Sequence, residues 1–196
     1  MQTKEILRKK IRKALSEISE DKRSRESHLI CAQMYSLDVF THAKHIAAYI
    51  PMRHEIDITP LLHEILKTQK KLSIPKCLPN FQMNFKQIHN LEEDLQSGAY
   101  GILEPKGYLL SADYDTIDLV IVPALAVDIH GYRLGHGGGY YDRFLKEHGH
   151  KMLKCTLIYE DMLLQDLPCE PHDACMDVIL TQERIVHIQQ SIIKEL

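Results

Sequence analysis

A chain of 196 residues with 44% hydrophobic residues can bury one sizeable core, and its net charge of −3 marks neither a nucleic-acid binder nor a disordered protein. The five cysteines are scattered and never spaced Cys-x-x-Cys, which argues against a disulfide framework and a cysteine zinc site and suggests free thiols in a reducing compartment. The longest apolar run has nine residues and the opening residues are charged, so neither a membrane span nor a signal peptide is expected and the protein is placed in the cytoplasm.

From about Thr3 to Ile18 the residues Leu7, Ile11, Ala14, Leu15 and Ile18 recur at helical spacing, predicting an amphipathic helix. Nine Lys and Arg against four Asp and Glu give the first 25 residues +5, which leaves −8 for the remainder. Lys4, Arg8 and Arg12 are four apart and share one face; by pattern alone this is a solvated charged face. A second helix is predicted from about Lys22 to Tyr35, then a buried strand His45–Ile50 ended by Pro51. Thr59 as N-cap and Pro60 at the first helical position start the next helix. Lys71–Ile74 and Phe81–Ile88 read as strands, before a turn-rich stretch with Gly98, Gly101, Pro105 and Gly107. The last third is predicted as one strand Leu119–Val127, a helix Tyr140–His148 stopped by Gly149, strands Cys155–Tyr159 and Val178–Leu180, and a terminal helix after Thr181. Strands alternating with helices predict a three-layer α/β sandwich with a largely parallel, Rossmann-like central sheet, as one domain over residues 1–196.

Five of the nine glycines fall within nine residues of the stretch Gly131-Tyr132-Arg133-Leu134-Gly135-His136-Gly137-Gly138-Gly139-Tyr140-Tyr141-Asp142-Arg143. Glycines can bring backbone N–H groups against a ligand, and the following helix offers the positive end of its dipole. The spacing fits neither the Walker nor the dinucleotide fingerprint, so on glycines alone a structural turn and a phosphate site both stay open. The side chains add to the second: Arg133, His136 and Arg143 offer donors to phosphate oxygens, Asp142 a hard oxygen for magnesium, and two tyrosines flat faces. Either tyrosine could instead pack into the first turn of its helix. In a parallel sheet this loop would lie at the carboxyl end of its strand, and Glu55, after the first strand, on the same edge. None of the twelve histidines falls in a His-Glu-x-x-His arrangement, and all but His136 read as surface.

The segment Gly131 to Arg143 resembles the signature of the 5-formyltetrahydrofolate cyclo-ligase (5,10-methenyltetrahydrofolate synthetase) family, the match running almost without interruption from Arg133 to Asp142. Lys4-Glu5-Ile6-Leu7-Arg8, Glu55-Ile56-Asp57 and His172-Asp173 agree in order, so the resemblance covers essentially the whole chain. It implies ATP-dependent conversion of 5-formyltetrahydrofolate to 5,10-methenyltetrahydrofolate, with ADP and phosphate released. ATP would be held by Lys4, Glu5, Ile6, Leu7 and Arg8 together with Arg133, Leu134, Gly135, His136, Gly137, Gly138, Gly139, Tyr140 and Tyr141. Folate would meet Ile50, Glu55, His136, Gly137, Gly138, Gly139 and Tyr140, and magnesium Asp142 and Asp173. Lys4, Arg8 and Arg133 would serve catalysis by neutralising charge, leaving Lys9, Lys10, Arg12 and Lys13 as surface. The expected partners are these small molecules alone, bound by a monomer, with no nucleic acid and no membrane. The sequence also leaves two rivals: a non-catalytic nucleotide- or RNA-binding module using the basic first helix, and another α/β enzyme of sugar-phosphate type.

Overall fold

The computed structural model describes residues 3–98 and 101–189. Two helices, the amphipathic α1 (Lys4–Ser16) and α2 (Glu20–Met34), begin at caps: the Thr3 and Ser19 hydroxyls accept the N–H groups of Ile6 and Lys22. A short α3 (Asp38–His42) leads into β1 (His45–Ala47), after which come α4 (Thr59–Lys67), β2 (Lys71–Leu78) and β3 (Gln82–Ile88). A hairpin of β4 (Leu95–Ser97) and β5 (Leu103–Pro105) precedes β6 (Leu119–Ile121), β7 (Ala126–Asp128) and β8 (Arg133–Leu134). Then follow α5 (Tyr140–His148), β9 (Leu153–Leu157), β10 (Leu163–Leu164), β11 (Val178–Leu180) and β12 (Ile185–His187).

Seven strands form the main sheet in the order β12-β11-β9-β6-β1-β2-β3. The four inner pairings, β11 with β9, β9 with β6, β6 with β1 and β1 with β2, are parallel; the two edge pairings are antiparallel. Successive residues of a strand face opposite sides. Ile46, Leu119 and Ile121 therefore face the layer of α1 to α4, packing with Ile11, Leu15, Ile30, Met34, Leu61 and Ile65. Ala47, Val120 and Val122 face the other layer, where Phe144 and Leu145 of α5 meet Phe85. Each such large side chain, once buried, contributes about 1.5–3 kcal/mol. The three-layer sandwich with a largely parallel sheet is thus present. No helix among the described residues is long and apolar enough to cross a membrane.

Several predicted elements differ. The apolar run from Leu119 is two strands, interrupted near Pro123, whose missing N–H cannot continue a ladder. β6 lies in the main sheet, while β7 pairs with β8 and β10 in a separate small sheet. The stretch after Thr181 enters β12, antiparallel to β11, instead of a helix; residues 190–196 lie outside the described residues. The first strand stops at Ala47, three residues short of its predicted end. Thr59 is inside α4, and Asp57, whose carboxylate accepts the Thr59 N–H, holds the turn that leads into it. β2 runs on past Pro75 because β1 has already ended, so beyond that point one edge of the β2–β3 ribbon has no ladder partner to lose.

His45 is buried at 2% exposure rather than at the surface. Its ring nitrogens lie 2.8 Å from the hydroxyls of Thr116 and Ser73, tying the start of β1 to its surroundings. Burial first, and the Lys71 charge second, lower its pKa against the opposing pull of Asp118 and Asp113. Since the unfolded chain takes up this proton at a higher pH than the folded one, the stability due to neutral His45 is complete above about pH 6.5. It is lost as pH falls through the folded value. His45→Gln should therefore cost about 1–3 kcal/mol at pH 8 and show a shallower loss of stability between pH 7 and 5, measured by urea unfolding across that range.

Candidate active site

One cavity of about 680 Å³ lies among the ends of β1, β2 and β8, the glycine loop, the first turns of α1 and α5 and the loop around Asp173. The β7–β8 hairpin separates the loop from the main sheet, so the loop does not directly continue a central strand as the sequence suggests. Gly131 belongs to that hairpin's turn, where a Cβ would meet Cys175 and Met176 at 2.8 Å, and has a structural role. The loop proper is Gly135 to Gly139, with positive φ at Gly137 (+109°) and Gly139 (+65°).

Three arginines bind the carbonyl side of this loop. Arg8 Nε donates to the Gly135 oxygen and Arg12 Nη2 to the His136 oxygen, both at 2.9 Å, and Arg143 donates to the Gly138 oxygen. Among the described residues the N–H groups of Gly137, Gly138 and Gly139 make no hydrogen bond. The same loop begins α5, whose dipole adds positive potential there. Occupied carbonyls and free N–H groups at a helix start make a cradle for an anion. Arg12, assigned to the surface by pattern, lines the cavity. Arg143 has both Nε and Nη2 on the Phe81 carbonyl as well, so these two nitrogens are committed to backbone instead of a ligand.

Arg133, on β8, is buried, with its Nη2 3.0 Å from the Asp142 carboxylate, which also accepts the Ala174 N–H. The Arg133 Nε and the Tyr141 hydroxyl are buried without a hydrogen-bond partner among the described residues. Both residues line the cavity, and buried donors of this kind are satisfied by an acceptor that enters it. Burial, then the Glu55 charge, keep the Tyr141 phenol protonated by raising its pKa. Its ring lies edge-on to Phe85 in the core, so the packing alternative holds for this tyrosine's ring.

Lys4 reaches across to the loop of Asp173: its Nζ lies 2.6 Å from that carboxylate and 2.9 Å from Glu170. Burial works against this ammonium, but hydrogen bonds to Asp173 and Glu170 outweigh it and the pKa is raised. Ligand atoms of Glu170, His172 and Asp173 lie within 4.8 Å of one another, and Asp142 lines the same cavity. These are the hard oxygens and imidazole that a divalent cation accepts. Opposite, Glu55 is buried, one oxygen 2.9 Å from His136 Nε2 and the other accepting the Met52 N–H at 2.8 Å.

Of the residues singled out from sequence, Lys4, Arg8, Ile50, Glu55, Arg133, Gly135 to Tyr141, Asp142 and Asp173 line this cavity. The side chains of Glu5, Ile6, Leu7 and Leu134 do not: Glu5 and Ile6 are exposed, while Leu7 and Leu134 pack on the core. Sequence reasoning missed Arg12, Glu170, Cys77 and Glu104, which also line it.

The chain matches the model of the 5-formyltetrahydrofolate cyclo-ligase family over residues 1–182. It is 32% identical to the mitochondrial 5-formyltetrahydrofolate cyclo-ligase of Arabidopsis thaliana, covering 94% of this chain and 76% of that one. With the 5-formyltetrahydrofolate cyclo-ligase of Saccharomyces cerevisiae it shares 28% identity over 95% of this chain and 99% of the other. The NMR structure of the 5,10-methenyltetrahydrofolate synthetase of Aquifex aeolicus superposes with a TM-score of 0.85 at 34% identity, covering 100% of this chain and 97% of that one. Sequence signature, fold and full-length similarity agree, and the chain belongs to the 5-formyltetrahydrofolate cyclo-ligase family.

Proposed function

We propose that this protein converts 5-formyltetrahydrofolate and ATP into 5,10-methenyltetrahydrofolate, ADP and phosphate. Family membership names the reaction, and the observation that carries it to this cavity is the glycine loop, with three arginines on its carbonyls and its N–H groups free. A formyl oxygen on nitrogen is a poor leaving group, so direct ring closure stalls. Attack of that oxygen on the γ-phosphorus expels ADP and leaves an imidate-type phosphate. The second nitrogen then attacks the formyl carbon, loses its proton, and the C–O bond breaks with departure of phosphate. Such phosphoryl transfer asks the protein for positioning and charge neutralisation and needs no protein nucleophile.

In this proposal the loop N–H groups, Lys4, Arg8 and Arg133 hold the triphosphate, with the orphan Arg133 Nε supplying one donor. Ile50, Glu55, His136 and Tyr140 meet the folate, and one loop touching both substrates brings the oxygen to phosphorus. Asp142 and Asp173 would hold magnesium, with Glu170 as a further oxygen, and the ion would neutralise phosphate charge. The Lys4 ammonium already beside Asp173 supports a site selective for cations. The whole chain is read as one cytoplasmic domain, monomeric, with small-molecule partners only. An RNA-binding role loses its main support, because Lys4, Arg8 and Arg12 turn toward carboxylates and loop carbonyls of the cavity.

The direct test is to incubate the pure protein with 5-formyltetrahydrofolate and Mg-ATP. Methenyl product should appear by absorbance with one ADP formed per turnover; correctly folded protein that forms none would refute the proposal. Glu55 offers a finer check. Glu55→Gln turns one acceptor into a donor facing His136 or folate, and should weaken folate binding by about 1–3 kcal/mol with little change in the KM for ATP. Unaltered folate affinity, measured by titration, would assign Glu55 to holding His136 and Met52 alone.

A further inference from the structure

Between β2 and β3 the chain turns through Asn80 (φ 60°) and Phe81 (φ 56°), with the Gln82 N–H closing on the Pro79 carbonyl. Two successive positive φ values are what a tight hairpin turn of this hand needs, and asparagine then glycine is the pair that usually meets the need. A phenylalanine in the second place is strained, since its Cβ crowds the backbone. Burial does not compensate: Phe81 is 55% exposed. What the conformation achieves is local. The Phe81 carbonyl accepts Arg143 Nε and Nη2 at 3.0 and 2.8 Å, while the same guanidinium donates to the Gly138 carbonyl. The Arg143 carbon lies 5.7 Å from the Phe81 ring centre and 5.9 Å from that of Tyr140, and the two rings meet edge-on at 5.9 Å. A Cβ on Gly139 would come within 2.9 Å of Arg143, so guanidinium and loop are closely fitted.

We propose that Phe81 and Arg143 are positioning residues, a clasp that holds Gly138, Gly139 and Tyr140 in the shape that binds nucleotide. The proposal rests on the glycine loop being the ATP site. Arg8 and Arg12 fix the first half of the loop from α1; the clasp fixes the second half from the β2–β3 turn, where nothing else holds the Gly138 carbonyl among the described residues. The strain at Phe81 is retained because its ring and carbonyl together seat the guanidinium.

Substitution separates this role from ordinary packing, because the two predict opposite combinations. Phe81→Gly suits the turn and should raise the midpoint of thermal unfolding by about 2–4 °C. As a positioning change it should nevertheless raise the KM for Mg-ATP at least fivefold, and speed hydrogen exchange at the 137–141 amides at least fivefold. Arg143→Lys, which cannot fork between two carbonyls, should do the same to KM and exchange, Phe81→Tyr should behave as wild type, and the double variant should be no worse than Arg143→Lys alone. A more stable Phe81→Gly protein with unchanged exchange and unchanged KM would overturn the clasp. If the wild-type protein formed no methenyl product, the assignment of ATP to the loop would fail instead, and the exchange comparison would still decide whether the clasp holds the loop.

Discussion

Asp142→Asn should lower folding stability by about 3–5 kcal/mol and the rate by at least about 100-fold. From the sequence this residue reads as a hard oxygen ligand for magnesium at the start of α5. In the fold its partner is a buried cation: the Arg133 side chain is 3% exposed and Asp142 is 16% exposed, with 3.0 Å between them. Neutralising the carboxylate leaves a guanidinium in low dielectric with only an amide oxygen to face. Removing one member of such a pair costs far more than the pair contributes, because the desolvation of the other is no longer offset. The same change takes one hard oxygen from the proposed magnesium site, so the magnesium needed for half-maximal activity should rise. Urea unfolding and a magnesium titration, done at a temperature where the variant is folded, separate the two effects. Wild-type stability would mean that the Arg133 charge is compensated elsewhere.

Lys4→Met should raise the KM for Mg-ATP about 10- to 100-fold, the loss expected when one charged hydrogen bond of about 1.5–3 kcal/mol to phosphate is removed. It should at the same time strengthen the binding of manganese alone, measured by calorimetry without nucleotide. The reason is competition: the ammonium 2.6 Å from Asp173 and 2.9 Å from Glu170 occupies oxygens that the metal would use. With its pKa raised by those carboxylates, Lys4 keeps its charge throughout the neutral range, and the competition should not fade between pH 6 and 9. Metal binding unchanged or weaker in Lys4→Met would place the metal away from Asp173 or show that Lys4 assists it.

The layered fold was legible because its signals are local: the helical spacing of Leu7, Ile11, Leu15 and Ile18, and short apolar runs that read as buried strands, while the caps at Thr3 and Ser19 went unread. What went unread depended on distant partners. Pro123 splits one apolar run between two sheets, and the edge position of Pro75 lets a strand continue where proline usually ends it. The site shows the same division. Residues adjacent in the glycine loop could be grouped by spacing, whereas Arg12 and Glu170 enter the cavity only because α1 crosses the loop and reaches the segment around Asp173. Arg143 illustrates the limit of residue type as a guide. An arginine beside a phosphate-type loop suggests a ligand donor, yet its hydrogen bonds go to the backbone carbonyls of Phe81 and Gly138.

The step on which the proposed chemistry turns is transfer of the γ-phosphoryl group to the formyl oxygen. Turnover of 5-formyltetrahydrofolate carrying a heavy oxygen isotope in its formyl group tests this most directly, with the released phosphate read by mass spectrometry. One labelled oxygen in each phosphate is the predicted result, because the oxygen that accepts phosphorus leaves with it. Unlabelled phosphate, with the isotope recovered in water or formate while methenyl product still forms, would contradict it.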